Sequence, residues 1–569
     1  MTRSDGRGLR ATVLAVVLAG LVLPIAAGLW HTVAAAFGHL PAIGKTEWSL
    51  EPWRQFLALP GAWTSVKLTL WTGLASTALS LLVAVGAATW CYGRLGPRAI
   101  GRLIAPFLAV PHAALAIGLA FVIAPSGWIA RSVSPWATGW SVPPDLAIVH
   151  DPLGLSLILG LMVKEVPFLL LVMLAAMSQV PAAAQMRACR ALGYGRSQVW
   201  LLIVFPQVYV QIRLAVYVVL SFALSVVDVG LVLGPSNPPV LAVALTRWFL
   251  APDTKLILPA SAAAIAQALI VLFAILIWRR GEVAVAHLGR AWICRGTRSQ
   301  TWTWSSSAAA VSAGCCLALG MLALIALALW SVTWRWSFPA ALPEMFSVGA
   351  WLRPGSGWGR AALNTAVIGV LATGLATVLA VAWLEGEDRA GLPRARWAEG
   401  LIYLPLIVPQ VAFLYGLQVA FVWAGIAGGV AAVIWAQTLF VFPYVMLALS
   451  RSWRALDQRL VSSAAALGAG PIRRLLAIKL PILLRPLLTA AAVGFAVSVA
   501  QYLPTLFMGA GRVPTLTTEA VTLSSGSDRR VTAVYATLQS ALPFLVYSAA
   551  LAVPAWAFRN RRGLTGDPA

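Results

Sequence analysis

Uncharged apolar runs of bilayer-spanning length recur from one end of this chain to the other, at 11–30, 68–93, 103–130, 256–278, 299–334, 361–384, 486–511 and 531–558. About 20 apolar residues cross the hydrocarbon core as a helix, and there every backbone N–H and C=O must be bonded within the protein. A chain patterned this way folds as a bundle of membrane helices. The run 400–450 is long enough for two spans, with Gly425, Gly428 and Gly429 marking a turn between them. Composition agrees: of 569 residues, 60% are hydrophobic and only 10% are charged, at a mean hydropathy of +0.85. Soluble domains carry about 25% charged residues.

The net charge of +23 would suit a nucleic-acid partner if it were gathered on one domain. It is instead spread over alternate loops. Arg3, Arg7 and Arg10 open the series, followed by Arg94, Arg98 and Arg102, and then Arg187, Arg190 and Arg196. It continues through Arg279 to Arg298, Arg389 to Arg396 and Arg451 to Lys479, and ends at Arg559, Arg561 and Arg562. The intervening loops are poorer in base, least clearly after 511, where Arg512, Arg529 and Arg530 stand. The positive-inside rule makes the first set cytoplasmic. Both termini are then cytoplasmic and the number of spans is even; twelve are expected, in a bacterial inner membrane, with the lipid bilayer as the surrounding partner and no nucleic acid. Trp128, Trp136, Trp140, Trp248, Trp334 and Trp336 cluster near predicted span ends, where interfacial anchors belong. The 20 uncharged residues after the basic start are read as an uncleaved first span rather than a signal peptide.

An internal repeat organises the rest. Ala188-Cys189-Arg190-Ala191-Leu192-Gly193 is followed thirteen residues after the Gly by Pro206; Ser463-Ala464-Ala465-Ala466-Leu467-Gly468 is followed at the same distance by Pro481. Val110-Pro111 with Gly118 answers Val408-Pro409 with Gly416, and Pro167 answers Pro443. The expected architecture is an all-α membrane protein of two parallel six-helix repeats, because an even number of spans gives both copies one orientation. The expected divisions are a first domain at 1–285, a cytoplasmic linker at 286–300 and a second domain at 301–569.

The repeated loops, 183–206 and 459–481, each read as a short helix of small residues, a Leu-Gly bend and a basic stretch running into a proline. Gly lets one helix stop and the next leave at an angle, and small residues let a partner approach the backbone. The proline is expected to open the next membrane helix, where its missing N–H is harmless. This pattern resembles the EAA loop of membrane subunits of ATP-binding-cassette importers, and in detail the fused double permeases of the type I, binding-protein-dependent family, such as the thiamine and ferric-iron permeases. The resemblance implies that the loops seat in clefts of a separate ATPase. It maps the small positions onto Ala188, Cys189, Ser463 and Ala464, the Gly onto Gly193 and Gly468, and the Pro onto Pro206 and Pro481. The acidic position is occupied by Arg187 in one half and Ser462 in the other, which departs from the family pattern. Two copies of a cytoplasmic ABC ATPase and a periplasmic substrate-binding protein are the implied partners, the latter meeting outer segments 126–152, 236–254 and 511–530.

Polar residues inside the spans are the candidates for the translocation path. Asp228, in Ser225-Val226-Val227-Asp228, is aligned with Gln501, in Ser498-Val499-Ala500-Gln501, followed by Tyr502. They are either a polar lining or gate, or an interhelical hydrogen bond joining the halves. Lys164 and Glu165 are adjacent charges before Pro167; neighbours in sequence point apart on a helix, so each needs its own partner. No chemistry of bond making is legible. Gly44-Lys45-Thr46 lacks the spacing of a phosphate-binding loop, the five His have no ligand spacing, and no nucleophile–base arrangement is present. No catalytic residue, metal site or cofactor is expected in this chain, ATP being used by the partner subunit. The competing reading is an ion- or proton-coupled secondary transporter of twelve helices.

Overall fold

A computed structural model describes residues 3–92, 94, 100, 101, 104, 107, 109–296, 302–353, 357–391, 395–526 and 528–559. Among the described residues ten helices are long and apolar enough to span a membrane, and two bent helix pairs bring the total to twelve. Half one holds Gly6–Ala36, Ala62–Cys91, His112–Val133, Leu155–Met177, Arg196–Ser225 and Thr254–Cys294. Half two repeats the order with Trp304–Ser331, Trp358–Ala390, the pair Arg396–Leu406 and Val411–Trp423, Val430–Arg454, the pair Pro471–Ile482 and Leu484–Ala500, and Arg529–Ala557.

The helices bury small residues and turn large ones to the lipid. In Ala62–Cys91 the buried face carries Ser65, Thr69, Thr72, Gly73, Ser76, Thr77, Ser80 and Ala84, whereas Trp63, Trp71, Leu79 and Leu82 are exposed. Lipid is as apolar as leucine, so helices associate through close packing of small side chains. The hydroxyls cost little there, because they donate to their own helix, as Thr69 Oγ1 does to Ser65 O and Thr72 Oγ1 to Leu68 O, both at 2.8 Å.

The leading helix of each half packs on the other half. Residues 3–36 lie against Trp358–Ala390 and Val411–Trp423, and Trp302–Ser331 lies against Ala62–Cys91, His112–Ile123 and Leu155–Met177. The repeated glycines are the crossing points. Gly118 faces the Ala323 backbone, and Gly416 faces Gly28 and Thr32, each closely enough that a Cβ would collide. The sequence places these glycines correctly as landmarks; their role as seats for the other half's leading helix emerges only in three dimensions.

Helix Ile257–Cys294 is continuous and takes in residues 286–294 of the expected linker, a stretch without proline; residues 297–301 lie outside the described residues. Each elbow proline stands in the first turn of an α-helix, Phe205–Ser225 and Leu480–Ile482, but that helix continues a span already under way. Arg196–Ser225 is one span, with a π turn at Trp200–Val204 directly ahead of Pro206, and Leu475–Lys479 forms the same turn ahead of Pro481. A third π turn, Leu18–Val22, precedes Pro24. The wider turn accommodates a residue that lacks an N–H and whose ring crowds the preceding turn. The run 486–511 is two helices, Leu484–Ala500 and Leu503–Gly509. The outer segments 236–254 and 511–530 are folded into the bundle as helices Leu241–Leu250 and Leu516–Ser524, whose first turns are largely buried. Each begins under a threonine of its own half's second span: Leu241 N–H donates to Thr69 Oγ1 at 2.8 Å and Leu516 N–H to Thr365 Oγ1 at 2.9 Å.

Candidate functional site

The two elbows have the same backbone. Helix Ala182–Ala191 stops at Leu192, and Gly193 turns left-handed at φ 86; helix Gln458–Ala466 stops at Leu467, and Gly468 does the same at φ 81. Reversed hydrogen bonds close each end, Tyr194 N–H to Cys189 O at 3.2 Å and Ala469 N–H to Ala464 O at 2.9 Å. This is the glycine stop of an α-helix, and 275 residues separate Gly193 from Gly468 as they separate Pro206 from Pro481. Arg187, Ala188, Ser462 and Ser463 are exposed, Cys189 and Ala464 half-buried, Pro206 exposed and Pro481 half-buried. Leu192 and Leu467 project outward at 62% and 89% exposure. Each bend thus holds one large apolar side chain on an exposed surface of the protein. Arg187 and Ser462 both lie on that surface.

Beneath the shared backbone the anchoring differs. Elbow one rests on an apolar floor in which Trp200 is fully buried with Met173, Met186 and Val204, and stacks on Phe205 at 5.5 Å. Arg196 donates to the Tyr92 carbonyl. Elbow two rests on charge. Lys479 Nζ reaches Glu385 Oε2 and Asp388 Oδ2, both at 2.6 Å, and lies over the Trp453 ring. Trp453 Nε1 donates to Asp388 at 3.0 Å, and Arg454 pairs with Glu387 and Glu399. These partners are 55 to 94 residues apart in sequence, a separation at which no local pattern reveals them.

Of the candidate path residues, Asp228, Gln501 and Tyr502 sit at helix breaks, whereas Lys164 and Glu165 lie inside Leu155–Met177. Span Arg196–Ser225 ends in an extended Val226, and helix Asp228–Leu233 follows; Leu484–Ala500 ends in an extended Gln501, and Leu503–Gly509 follows. The structural register therefore matches Val226 with Gln501 and Asp228 with Leu503, two residues away from the alignment expected from sequence. The expectation took Ser225 and Ser498 as equivalent, whereas the equivalent points are the chain breaks. Asp228 is buried at the head of its short helix, and no salt bridge reaches it among the described residues. Its carboxylate acts electrostatically on Tyr502 of the other half. Gln501 Oε1 accepts from Gln410 Nε2 at 3.5 Å, and Gln437 links Ser498 to Thr505. Across the junction Ser221 Oγ donates to Ile407 O at 2.5 Å, and Phe249 stacks on Tyr415 at 4.3 Å. Polar and aromatic groups thus gather where the halves meet, at the unwound backbone that a helix bundle tolerates only when it is buried in protein or lines a pathway.

Lys164 and Glu165 do point apart, as adjacent residues must. Lys164 Nζ caps the carbonyls of Phe107 and Val110, each at 2.5 Å, just before Pro111; Glu165 Oε2 accepts from Ser80 at 3.0 Å. Lys164 thus satisfies backbone carbonyls just ahead of helix His112–Ile123. Its counterpart region in half two carries Phe440 and Val441, both buried.

Comparison with known proteins places the chain in a family. Residues 389–558 fit the family of binding-protein-dependent transport system inner membrane components. The inner membrane ABC transporter permease protein YnjC of Escherichia coli (strain K12) is 33% identical over 423 residues, covering 72% of this chain and 74% of that protein. This chain belongs to that permease family. The molybdenum transport system permease protein ModB and the spermidine/putrescine transport system permease protein PotC, both of Haemophilus influenzae, are 30% and 25% identical. They match shorter stretches, 18% and 24% of this chain against 51% and 54% of their own. The protein is a multi-pass permease subunit of an ABC importer, in a family whose members are not themselves catalytic. That membership removes the coupled secondary transporter from consideration.

Proposed function

We propose that this permease carries both membrane domains of a binding-protein-dependent importer in one chain, 1–285 and 301–569, and that each elbow seats one copy of a cytoplasmic ABC ATPase. The supporting observation is the pair of outward leucines, Leu192 and Leu467, held by left-handed glycines at the same place in each repeat. ATP binding and hydrolysis in the partner would move the elbows, and the broken spans at Val226 and Gln501 would carry that movement to the junction of the halves. Elbow docking rests here on shape and apolar contact, because Arg187 and Ser462 replace the family's acid. Basic loops share the elbow side with both termini, which makes that side cytoplasmic. A periplasmic binding protein would deliver a small solute to the opposite face, where the stretch 135–148 is largely exposed. The buried Asp228 favours a cationic or hydrogen-bonding solute.

Copurification of the ATPase tests the docking. Leu192→Glu with Leu467→Glu changes only exposed side chains, so the permease should fold and reach the membrane while ATPase recovery falls to background. Undiminished recovery would refute docking at the elbows.

A further inference from the structure

Three membrane spans end together on the face opposite the elbows: His112–Val133 from half one, and Trp304–Ser331 and Arg529–Ala557 from half two. Their ends enclose a cleft of about 500 Å³ lined by Ser126, Arg131, Trp330, Asp528, Arg529 and Arg530. Three guanidiniums and one carboxylate share this space. Asp528 is already occupied, because Arg530 grips it through Nε at 3.0 Å and Nη2 at 3.2 Å. Neither Arg131 nor Arg529 makes a salt bridge among the described residues; Glu344, paired with Arg335 at 3.1 Å, acts on Arg131 only from beyond contact distance. Arg131 is 4% exposed; its Nε donates to Ser126 O at 2.9 Å and its Nη1 to Ser337 O at 2.8 Å. Arg529 donates to the same serine, through Nη2 to Oγ at 2.7 Å and Nη1 to the carbonyl at 3.2 Å. Both cations lie over Trp330, at 6.0 and 5.4 Å from the ring centre. The direct contacts of these two groups are neutral carbonyls, a hydroxyl and ring faces, so Glu344 and the Arg530-bound Asp528 offset their charge only in part. Two like charges converging on one residue favour an anion between them.

A second observation indicates where that anion comes from. Beside the cleft a two-stranded hairpin pairs Thr333 with Phe346 and Arg335 with Met345. Trp334, Met345 and Phe346 on it are more than half exposed, and Arg530 ties it to the cleft by donating to Trp334 O at 3.2 Å. A Trp and neighbouring apolar side chains, displayed at the level where spans end, belong in the headgroup region of a bilayer. The fold does not require this arrangement. At the corresponding junction on the other side, the leading helix of half one meets Val411–Trp423 through His31 and Trp423, with ring centres 5.4 Å apart.

We propose that the cleft seats the phosphodiester headgroup of an anionic phospholipid in the leaflet opposite the elbows, with Arg131 and Arg529 as its ligands and the hairpin sunk beside it. A planar guanidinium donates two parallel hydrogen bonds to phosphate oxygens. The bound lipid would pin the leading helix of half two to half one.

Native mass spectrometry of the full-length protein tests this, with phosphatidylglycerol, phosphatidylcholine and inorganic phosphate as separate probes. Phosphatidylglycerol should bind in preference to phosphatidylcholine. Arg529→Gln should weaken it about fivefold, the factor expected for one basic group at an anionic surface. Arg529→Lys should keep most of the binding, and Arg54→Gln, on an exposed helix of the same face, should leave it intact. A melting temperature in phosphatidylcholine unchanged by Arg529→Gln shows that the variant is folded; if that variant is unfolded, Arg529→Lys and Arg54→Gln carry the test. Equal binding of the two lipids overturns the proposal, as does equal loss in Arg54→Gln. Stabilisation of the protein by inorganic phosphate alone, as strong as that by phosphatidylglycerol, would assign the cleft to a free anion and overturn the lipid.

Discussion

Lys479 and Val204 close the same π turn in the two repeats, one against carboxylates and the other against apolar side chains. A buried charge pair gains little over a well-packed apolar contact, but removing one partner strands the other charge in a low-dielectric site. Lys479→Met therefore leaves Glu385, which is 4% exposed, without its closest cation. Arg389 Nε, at 2.7 Å from the other carboxylate oxygen, compensates only in part. The variant should lose ~3–5 kcal/mol, the range for breaking a buried pair, read as a lower denaturation midpoint in detergent. Adding Glu385→Gln should recover part of the loss, because the stranded charge is gone. A midpoint equal to wild type in Lys479→Met would show that elbow two does not depend on its charged floor. In the sequence Lys479 was legible only as one more cytoplasmic base, since its partners are more than 90 residues upstream. Lys164 was legible as a buried charge needing a partner, and the partners are carbonyls, which no side-chain pattern announces.

At the scale of elements, hydropathy located the spans and missed their breaks, because a break inside an apolar run leaves no polar gap. The two fifth spans show the consequence. Arg196–Ser225 is one span, whereas its counterpart bends by 78° between Pro471–Ile482 and Leu484–Ala500. The difference traces to Pro486, whose equivalent in half one is Gln211. Pro486 cannot donate to the carbonyl four residues back, and its ring crowds that carbonyl; the chain responds at Leu483, with φ −91 and ψ 9. Pro486→Ala should straighten the span. Spin labels at Ile472 and Thr489 would then move apart towards about 25 Å, the length of seventeen helical residues. An unchanged distance by double electron–electron resonance would place the cause of the bend in packing rather than in the proline. The short helices Leu241–Leu250 and Leu516–Ser524 fall within segments that the sequence presents only as outer loops, being too short to cross a bilayer. A matching Pro-x-Leu, Pro239 to Leu241 and Pro514 to Leu516, was the available signal for them.

For the molecule as a whole, the question is why two repeats should be one chain when each has a complete set of six spans. Each leading helix lies on the opposite half, so neither half is closed without the other. The crossing depends on Gly118 and Gly416, where the backbones come too close for any side chain. Small residues at such crossings are what association within lipid relies on. The halves should therefore recognise each other without a covalent link. Co-expressed as 1–296 and 302–569, they should copurify through a tag on either one. Gly416→Leu on the second fragment should sharply reduce recovery, because the leucine meets Gly28 O and Thr32 and cannot be accommodated by a rotamer change alone. Recovery of two stable, separate halves would mean that the exchanged helices decorate the bundle rather than lock it. Copurification abolished by Gly416→Leu, with both fragments still inserted in the membrane, would instead make the exchange the element that turns two repeats into one pathway. The movement of either elbow would then necessarily reach both halves.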